Sequence, residues 1–264
     1  MKRTGLCALI VFSLCAGAAA QFDQFDWTLE NHGGLDVGLQ PDSMWFNGLH
    51  SDAPGTVAVF KTSSPVAGRV SVATNFWIEE LVCGSSNALY VLGNQVVTFS
   101  NCFSFVPVSF DVDELQTFGF GMKVNNPSWS ASLNLTAFTF TPCWTVLEGA
   151  LPGTAGTPSL EGHGLLKADG PFSMKLSGAM PSASVALVVG FGQVNLPFKG
   201  GVLVPSVDAL ITGLVSDVNG QFDLASIWPA GVPAGSQFFV QSWIADPAGP
   251  SGFAASNAVQ GIAL

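Results

Sequence analysis

Apolar residues alternate along this chain, and between Gln21 and Leu264 they never recur with a helical period. Successive strand residues point to opposite faces, so period-two alternation marks a strand with one buried side. Val70, Val72, Thr74, Phe76 and Ile78 share one side, and Phe118, Phe120, Met122 and Val124 share another, with Gly119, Gly121 and Lys123 opposite. Leu133, Leu135 and Ala137 continue the pattern. Later, Phe172, Met174 and Leu176 alternate with polar residues, then Leu187, Val189 and Phe191, then Phe222 with Leu224, and Phe238 with Val240. Turn residues fall between these runs at Gly33-Gly34, Pro54-Gly55, Gly93-Asn94, Asn125-Asn126-Pro127, Gly200-Gly201 and Asn219-Gly220. Short strands with frequent turns predict an all-β chain of antiparallel sandwiches, jelly-roll or Ig-like, rather than a parallel sheet with crossover helices.

The composition agrees. Charged residues make up only 10% of the chain while 48% is hydrophobic, with 30 Gly and 16 Pro. Soluble helices cover their wet faces with Glu, Lys and Arg, and typical proteins carry about 25% charge. Here Ser, Thr, Asn and Gln do that work. One stretch, 149–158, is rich in Gly, Pro and Thr and lacks alternation, which predicts a linker. The expected plan is a sandwich over 21–148, the linker, and a second sandwich over 159–264.

Residues 1–20 read as an export signal. Lys2 and Arg3 precede an apolar run from Leu6, which closes on Ala18 and Ala20. Leu14 stands before Cys15, where lipid attachment wants a small residue. The run is too short to span a bilayer, and no later stretch approaches about 18 apolar residues. The expected location is secreted or cell-surface. Without residues 1–20, six cations face 18 acids, a formal charge of −12. Nucleic-acid affinity comes from Lys and Arg neutralising phosphate, so nucleic-acid partners are excluded.

Cys83, Cys102 and Cys143 follow the leader. In an oxidising compartment a bridge is expected. A two-residue loop at Gly93-Asn94 pairs Leu92 with Gln95 and brings Cys83 and Cys102 within two positions of facing one another. Cys143 is then the odd thiol, or one of the partners instead.

Catalytic patterns are sparse. His32, His50 and His163 sit in turn-like surroundings, with no His-Glu-x-x-His and no zinc spacing. There is no Gly-x-Ser-x-Gly, and Ser51 and Asp52 beside His50 are sequence neighbours, which rarely make a triad. Glu79-Glu80 and Asp111 to Glu114 supply carboxylates, but glycosidase work needs two of them across a cleft. The expectation is no enzymatic activity and no obligate cofactor. Asp111, Asp113 and Glu114 offer several hard oxygens from one loop and form a candidate calcium site, which Asp23 and Asp26 could join. Among 21 Phe and seven Trp, Trp45, Trp77 and Trp129 are the candidate ligand-binding residues, since an exposed ring on a sandwich stacks on a sugar face or anchors a protein.

The second half carries a resemblance. Leu176-Ser-Gly-Ala-Met-Pro-Ser-Ala, Pro197-Phe-Lys-Gly-Gly-Val-Leu-Val-Pro205, Trp228-Pro-Ala-Gly-Val-Pro-Ala-Gly235, Gln241-Ser-Trp-Ile-Ala-Asp-Pro247 and Gly252-Phe-Ala-Ala-Ser-Asn257 occur in one order. Together they resemble a C-terminal module of exported proteins from planctomycete-type bacteria, which implies an extracytoplasmic β-sandwich attached to varied partners. Ala67-Gly-Arg-Val-Ser-Val72 and Thr117-Phe-Gly-Phe-Gly121 resemble, more loosely, strands of jelly-roll or CUB-like modules. The resulting expectation is a structural or adhesive exoprotein whose partner is an extracellular protein, the cell envelope or a glycan. Carbohydrate binding through exposed Trp, calcium-assisted, is the alternative, and a hydrolase the remote one.

Overall fold

A computed structural model describes residues 22–49, 52–79, 83–126 and 130–264. The expected leader, His50, Ser51, Glu80 and Trp129 lie outside them. Among the described residues the chain is all-β and its strand pairings are antiparallel. Among the described residues, no helix is long and apolar enough to cross a membrane.

The first ten strands are β1 (Thr28–His32), β2 (Asp36–Gln40), β3 (Ser43–Gly48), β4 (Val57–Ser63), β5 (Gly68–Ile78), β6 (Ser86–Leu92), β7 (Gln95–Ser100), β8 (Val108–Val112), β9 (Thr117–Val124) and β10 (Ala131–Pro142). They form two five-stranded sheets, ordered β1-β4-β9-β6-β7 and β2-β3-β10-β5-β8. Four of the pairings share one logic: β3 with β10, β4 with β9, β5 with β8, and β6 with β7. These are the rungs of one long ribbon folded back on itself at Gly93-Asn94, where Leu92 pairs with Gln95. Successive rungs fall alternately in the two sheets, which is how a ribbon rolls into a jelly roll.

The inward faces meet in one aromatic-rich core. Phe46, Phe76, Phe118, Phe120 and Phe138 are at most 1% exposed there. Phe25, Phe118, Phe138 and Phe140 meet edge-on, with Phe25 in the middle. Gly119 and Gly121 let β9 press against β4, because a Cβ at either would strike the Phe60 or Ala58 carbonyl. One expectation is corrected. Ala137 does not continue the inward series of Leu133 and Leu135, because a bulge between Thr136 and Thr139 resets the alternation. Ala137 takes a left-handed φ of 51° and is exposed, and the larger Phe138 turns inward.

The remaining strands are β11 (Trp144–Val146), β12 (Ser159–His163), β13 (Pro171–Ser177), β14 (Ser184–Gly190), β15 (Gln193–Phe198), β16 (Gly201–Pro205), β17 (Ala209–Val215), β18 (Phe222–Ile227), β19 (Gln237–Ala245) and β20 (Phe253–Ile262). A three-stranded sheet, β12-β13-β18, faces a five-stranded one, β11-β20-β19-β14-β17, in an Ig-like arrangement. Leu160, Leu176, Leu187, Ile244 and Val259 fill the space between them. The β15–β16 hairpin turns at Lys199-Gly200 and lays Leu203 over Val188 and Trp243 on the far face of the larger sheet. Phe191, expected in line with Leu187 and Val189, falls just past β14 and is 75% exposed.

The segment expected as a linker is fixed chain. Leu151 is buried and bridges Ala255, and the Gly149 carbonyl accepts a hydrogen bond from Gln241. Its glycines permit close approach, since a Cβ at Gly153 would collide with Asp246. The chain passes from the first pair of sheets to the second earlier, at Cys143. That residue stands alone between β10 and β11, donates its N–H to the Ala67 carbonyl and accepts from Ile262.

Candidate functional site

The sheet β2-β3-β10-β5-β8 buries one face and leaves the other open. Cross-strand register lays two rows of side chains across that open face. One runs Asp36, Asn47, Ser132, Trp77, and the other runs Gly38, Trp45, Asn134, Asn75. The bridge between Phe76 and Ser104 extends both rows by one chain segment. It sets Phe103 level with Trp77 and Phe105 level with Asn75. Alternation then explains the exposure: Phe76 is buried, whereas Trp77, Phe103 and Phe105 are 42%, 43% and 60% exposed.

The rings are held at defined places. Trp45 folds flat onto Gly38 of the neighbouring strand, in the volume any Cβ at that position would occupy. Trp45 itself is half-buried. Phe103 and Phe105 meet edge-on with centroids 4.6 Å apart. Their segment is tied down at both ends, by the Cys83–Cys102 disulfide on one side and by the Thr74 hydroxyl donating to the Val106 carbonyl on the other. From β3 to this segment is three inter-strand spacings, about 14 Å at roughly 4.8 Å each. Asp36 is the sole ionisable group in the two rows, and its carboxylate accepts from the Asn47 amide at 3.0 Å. The result is a nearly uncharged, firm platform of aromatic faces interleaved with amides and a hydroxyl.

Of the candidate ligand-binding residues, the fold brings Trp45 and Trp77 to this face, and Trp129 lies outside the described residues. Phe103 and Phe105 were not singled out by sequence reasoning. The signal available was Phe-Ser-Phe directly after Cys102, an alternating run that reads as core until the partner strand is known.

The three carboxylates of the candidate calcium site do not converge. Asp111 is engaged by Arg69, whose Nε donates at 2.8 Å. Asp113 accepts the backbone N–H of Glu114, and Glu114 turns away to His163 Nδ1 at 2.9 Å. Each carboxylate has its own partner. Among the described residues, no three His, Cys, Asp or Glu side chains converge as ligands of an ion.

The Glu114–His163 contact joins the β8–β9 loop to the end of β12, beside a narrow hollow lined by Ala67, Trp144 and Glu161. His163, expected in a turn, is thus a strand-end group that ties the two sheet pairs together. Cys143 lies buried nearby as a free thiol. Burial, reinforced by the negative charges of Asp111 and Asp113, pushes its pKa up to about 11. Such a thiol is protonated at neutral pH and is a poor nucleophile.

No protein-family model matches the chain, and no curated protein matches it. Distant likenesses to solved structures exist. The adhesin domain of Epf from Streptococcus pyogenes matches 84% of this chain over 77% of its own, at 10% identity and a TM-score of 0.30. A DUF3823 family protein from Bacteroides ovatus matches 72% of this chain over 97% of its own, at 12% identity and a TM-score of 0.24. A β-glucuronidase from Bacteroides uniformis matches 88% of this chain over 32% of its own, at 6% identity and a TM-score of 0.19.

Proposed function

We propose that this chain is an exported, non-enzymatic adhesive β-sandwich protein that holds an extracellular ligand on the open face of the β2-β3-β10-β5-β8 sheet. The observation that carries the reading is the pair of cross-strand rows that place Trp45, Trp77, Phe103 and Phe105 on one face. Large rings left in water are costly, and grouped ones mark a surface meant to be covered. Rings supplied from strands and a disulfide-fixed segment lose little freedom on binding. Export is supported by the leader-like residues 1–20 and by the Cys83–Cys102 bridge, which persists in oxidising compartments.

The test is a solid-phase panel of extracellular proteins, peptidoglycan and insoluble polysaccharides, probed with residues 21–264 and with Trp77→Ala. Saturable binding to at least one surface, weakened at least tenfold by Trp77→Ala, is expected. Binding to none, or binding indifferent to the face, overturns the reading.

A further inference from the structure

Resting on that reading, we infer that the ligand of the open face is a neutral glycan chain, laid across the strands from Trp45 to the Phe103–Phe105 pair. Three features select it. First, the rings and the amides alternate. A pyranose has an apolar C–H face and a rim of hydroxyls that both donate and accept. Flat rings at Trp45 and Trp77 suit the first, and the Asn75 and Asn134 amides, each both donor and acceptor, suit the second. A hydrophobic protein anchor would instead want a pocket with an apolar floor. The residues between these rings, Ser132, Asn134 and Asn75, are polar.

Second, charge excludes the anionic ligands. The two rows hold no Lys, Arg or His, and their one carboxylate is already bonded to Asn47. The chain as a whole is at −10. A uronate or sulfated polymer would meet repulsion with no compensating ion pair. An uncharged polymer meets neither.

Third, the length fits a polymer. The aromatics span about 14 Å across the strands, three spacings of roughly 4.8 Å, which is more than one sugar ring covers. Trp45 is also offset from Trp77 by two residues along the strands, about 6.8 Å at 3.4 Å each. Two or more stacking points on one chain make later contacts intramolecular, so affinity should climb with length.

The experiment is a glycan array followed by calorimetry on residues 21–264, using neutral oligosaccharides of one to six units and a uronate-rich set of equal length. Expected is binding to a neutral series, tightening at least tenfold from one unit to four, with the uronate series at least tenfold weaker. Trp45→Ala and Trp77→Ala should each weaken the best ligand at least tenfold, and Asn134→Ala about threefold. Trp77→Phe, which keeps a ring, should recover part of the loss. Gly38→Val leaves Trp45 in the chain but takes its resting place, so it should weaken binding like Trp45→Ala; unfolding curves of each variant separate a lost site from a lost fold. If the neutral glycans fail while a protein surface in the panel still binds through Trp77, the glycan assignment falls and the adhesive face stands. If nothing binds, both fall. Glycan binding that survives every substitution on the face also overturns the assignment, because the site then lies elsewhere.

Discussion

The first ten strands and the last ten solve one problem in two ways. In both, antiparallel sheets must be locked face to face without helices. The jelly roll does it with rings: Phe22, Phe46, Phe76, Phe118, Phe120 and Phe138 are essentially inaccessible, and a disulfide closes the open end of the β6–β7 hairpin, opposite its turn. The Ig-like half holds no disulfide among its described residues and has a smaller, more aliphatic core. It relies instead on buried polar side chains. Gln241, wholly buried, shares its two Nε2 protons among the carbonyls of Gly149, Val202 and Ser256 and accepts from the Val204 N–H and the Trp243 indole N–H. Asn257 does similar work between β20 and the Leu160 backbone. Rings fill volume without directional demands, so the first half can leave an entire sheet face free for other duties. A polar network fixes partners atom by atom, which suits the second half, where loose segments such as 149–154 and β16 must be clamped to a sheet.

The comparison breaks most clearly at Phe120. Phe120→Ala leaves a cavity among Trp27, Phe110 and Phe138 and should cost about 4 kcal/mol. Chemical denaturation followed by near-UV circular dichroism reads it. Gln241→Leu keeps the bulk but takes the partner from three carbonyls and from two N–H groups, those of Val204 and the Trp243 indole. About 3 kcal/mol is expected, with the loss largest for amide protons around Val202 to Val204 in hydrogen exchange. Should Gln241→Leu be neutral, the claim of a polar clamp is wrong. Replacing both Cys83 and Cys102 by Ser opens a loop of 19 positions and should cost about 3 kcal/mol by chain entropy, all of it in the first half. The same change should also weaken ligand binding, because it frees the segment that carries Phe103 and Phe105.

Where the sequence spoke clearly, local physics was enough. The β5 and β9 alternations put every expected residue inside, and Gly93-Asn94 turns with the expected partners, because period-two burial and two-residue turns are properties of neighbours in the chain. The bridge between Cys83 and Cys102 followed from that one turn. What stayed hidden depended on which strand lies beside which. Phe103 and Phe105 look like core until β5 is known to run alongside them. Asp111 looks like a calcium ligand until Arg69, in the paired strand, claims it. The 149–158 segment has the composition of a linker because tight packing of backbone on backbone also requires glycine, and only the position of Asp246 and Ala254 near Gly153 tells the two apart.

The smallest expected effect sharpens the comparison by pH. Asp246 is buried at the end of β19, and burial alone would raise its pKa. The Thr154 hydroxyl and N–H donate to its carboxylate at 2.5 and 2.6 Å, and the Ala248 N–H donates at 3.0 Å. Together with the Gly249 N–H these donors win, and the carboxyl is held below its ordinary 3.8. A carboxyl depressed by folding stabilises the fold fully above its unfolded value and loses that contribution as pH falls through the folded one. From pH 7 to 5 this group should therefore contribute a constant amount, and below 3.8 its contribution should drain away. Asp246→Asn should cost about 1–2 kcal/mol at pH 6 and should flatten the part of the acid dependence that belongs to the second half. Urea midpoints at pH 6, 4 and 3 for the two proteins decide it. Because the donors come from Thr154, an acid loss traced to Asp246 would release the 151–154 stretch first, while the ring-packed half, whose core holds no such group, should keep its near-UV signal at pH 3.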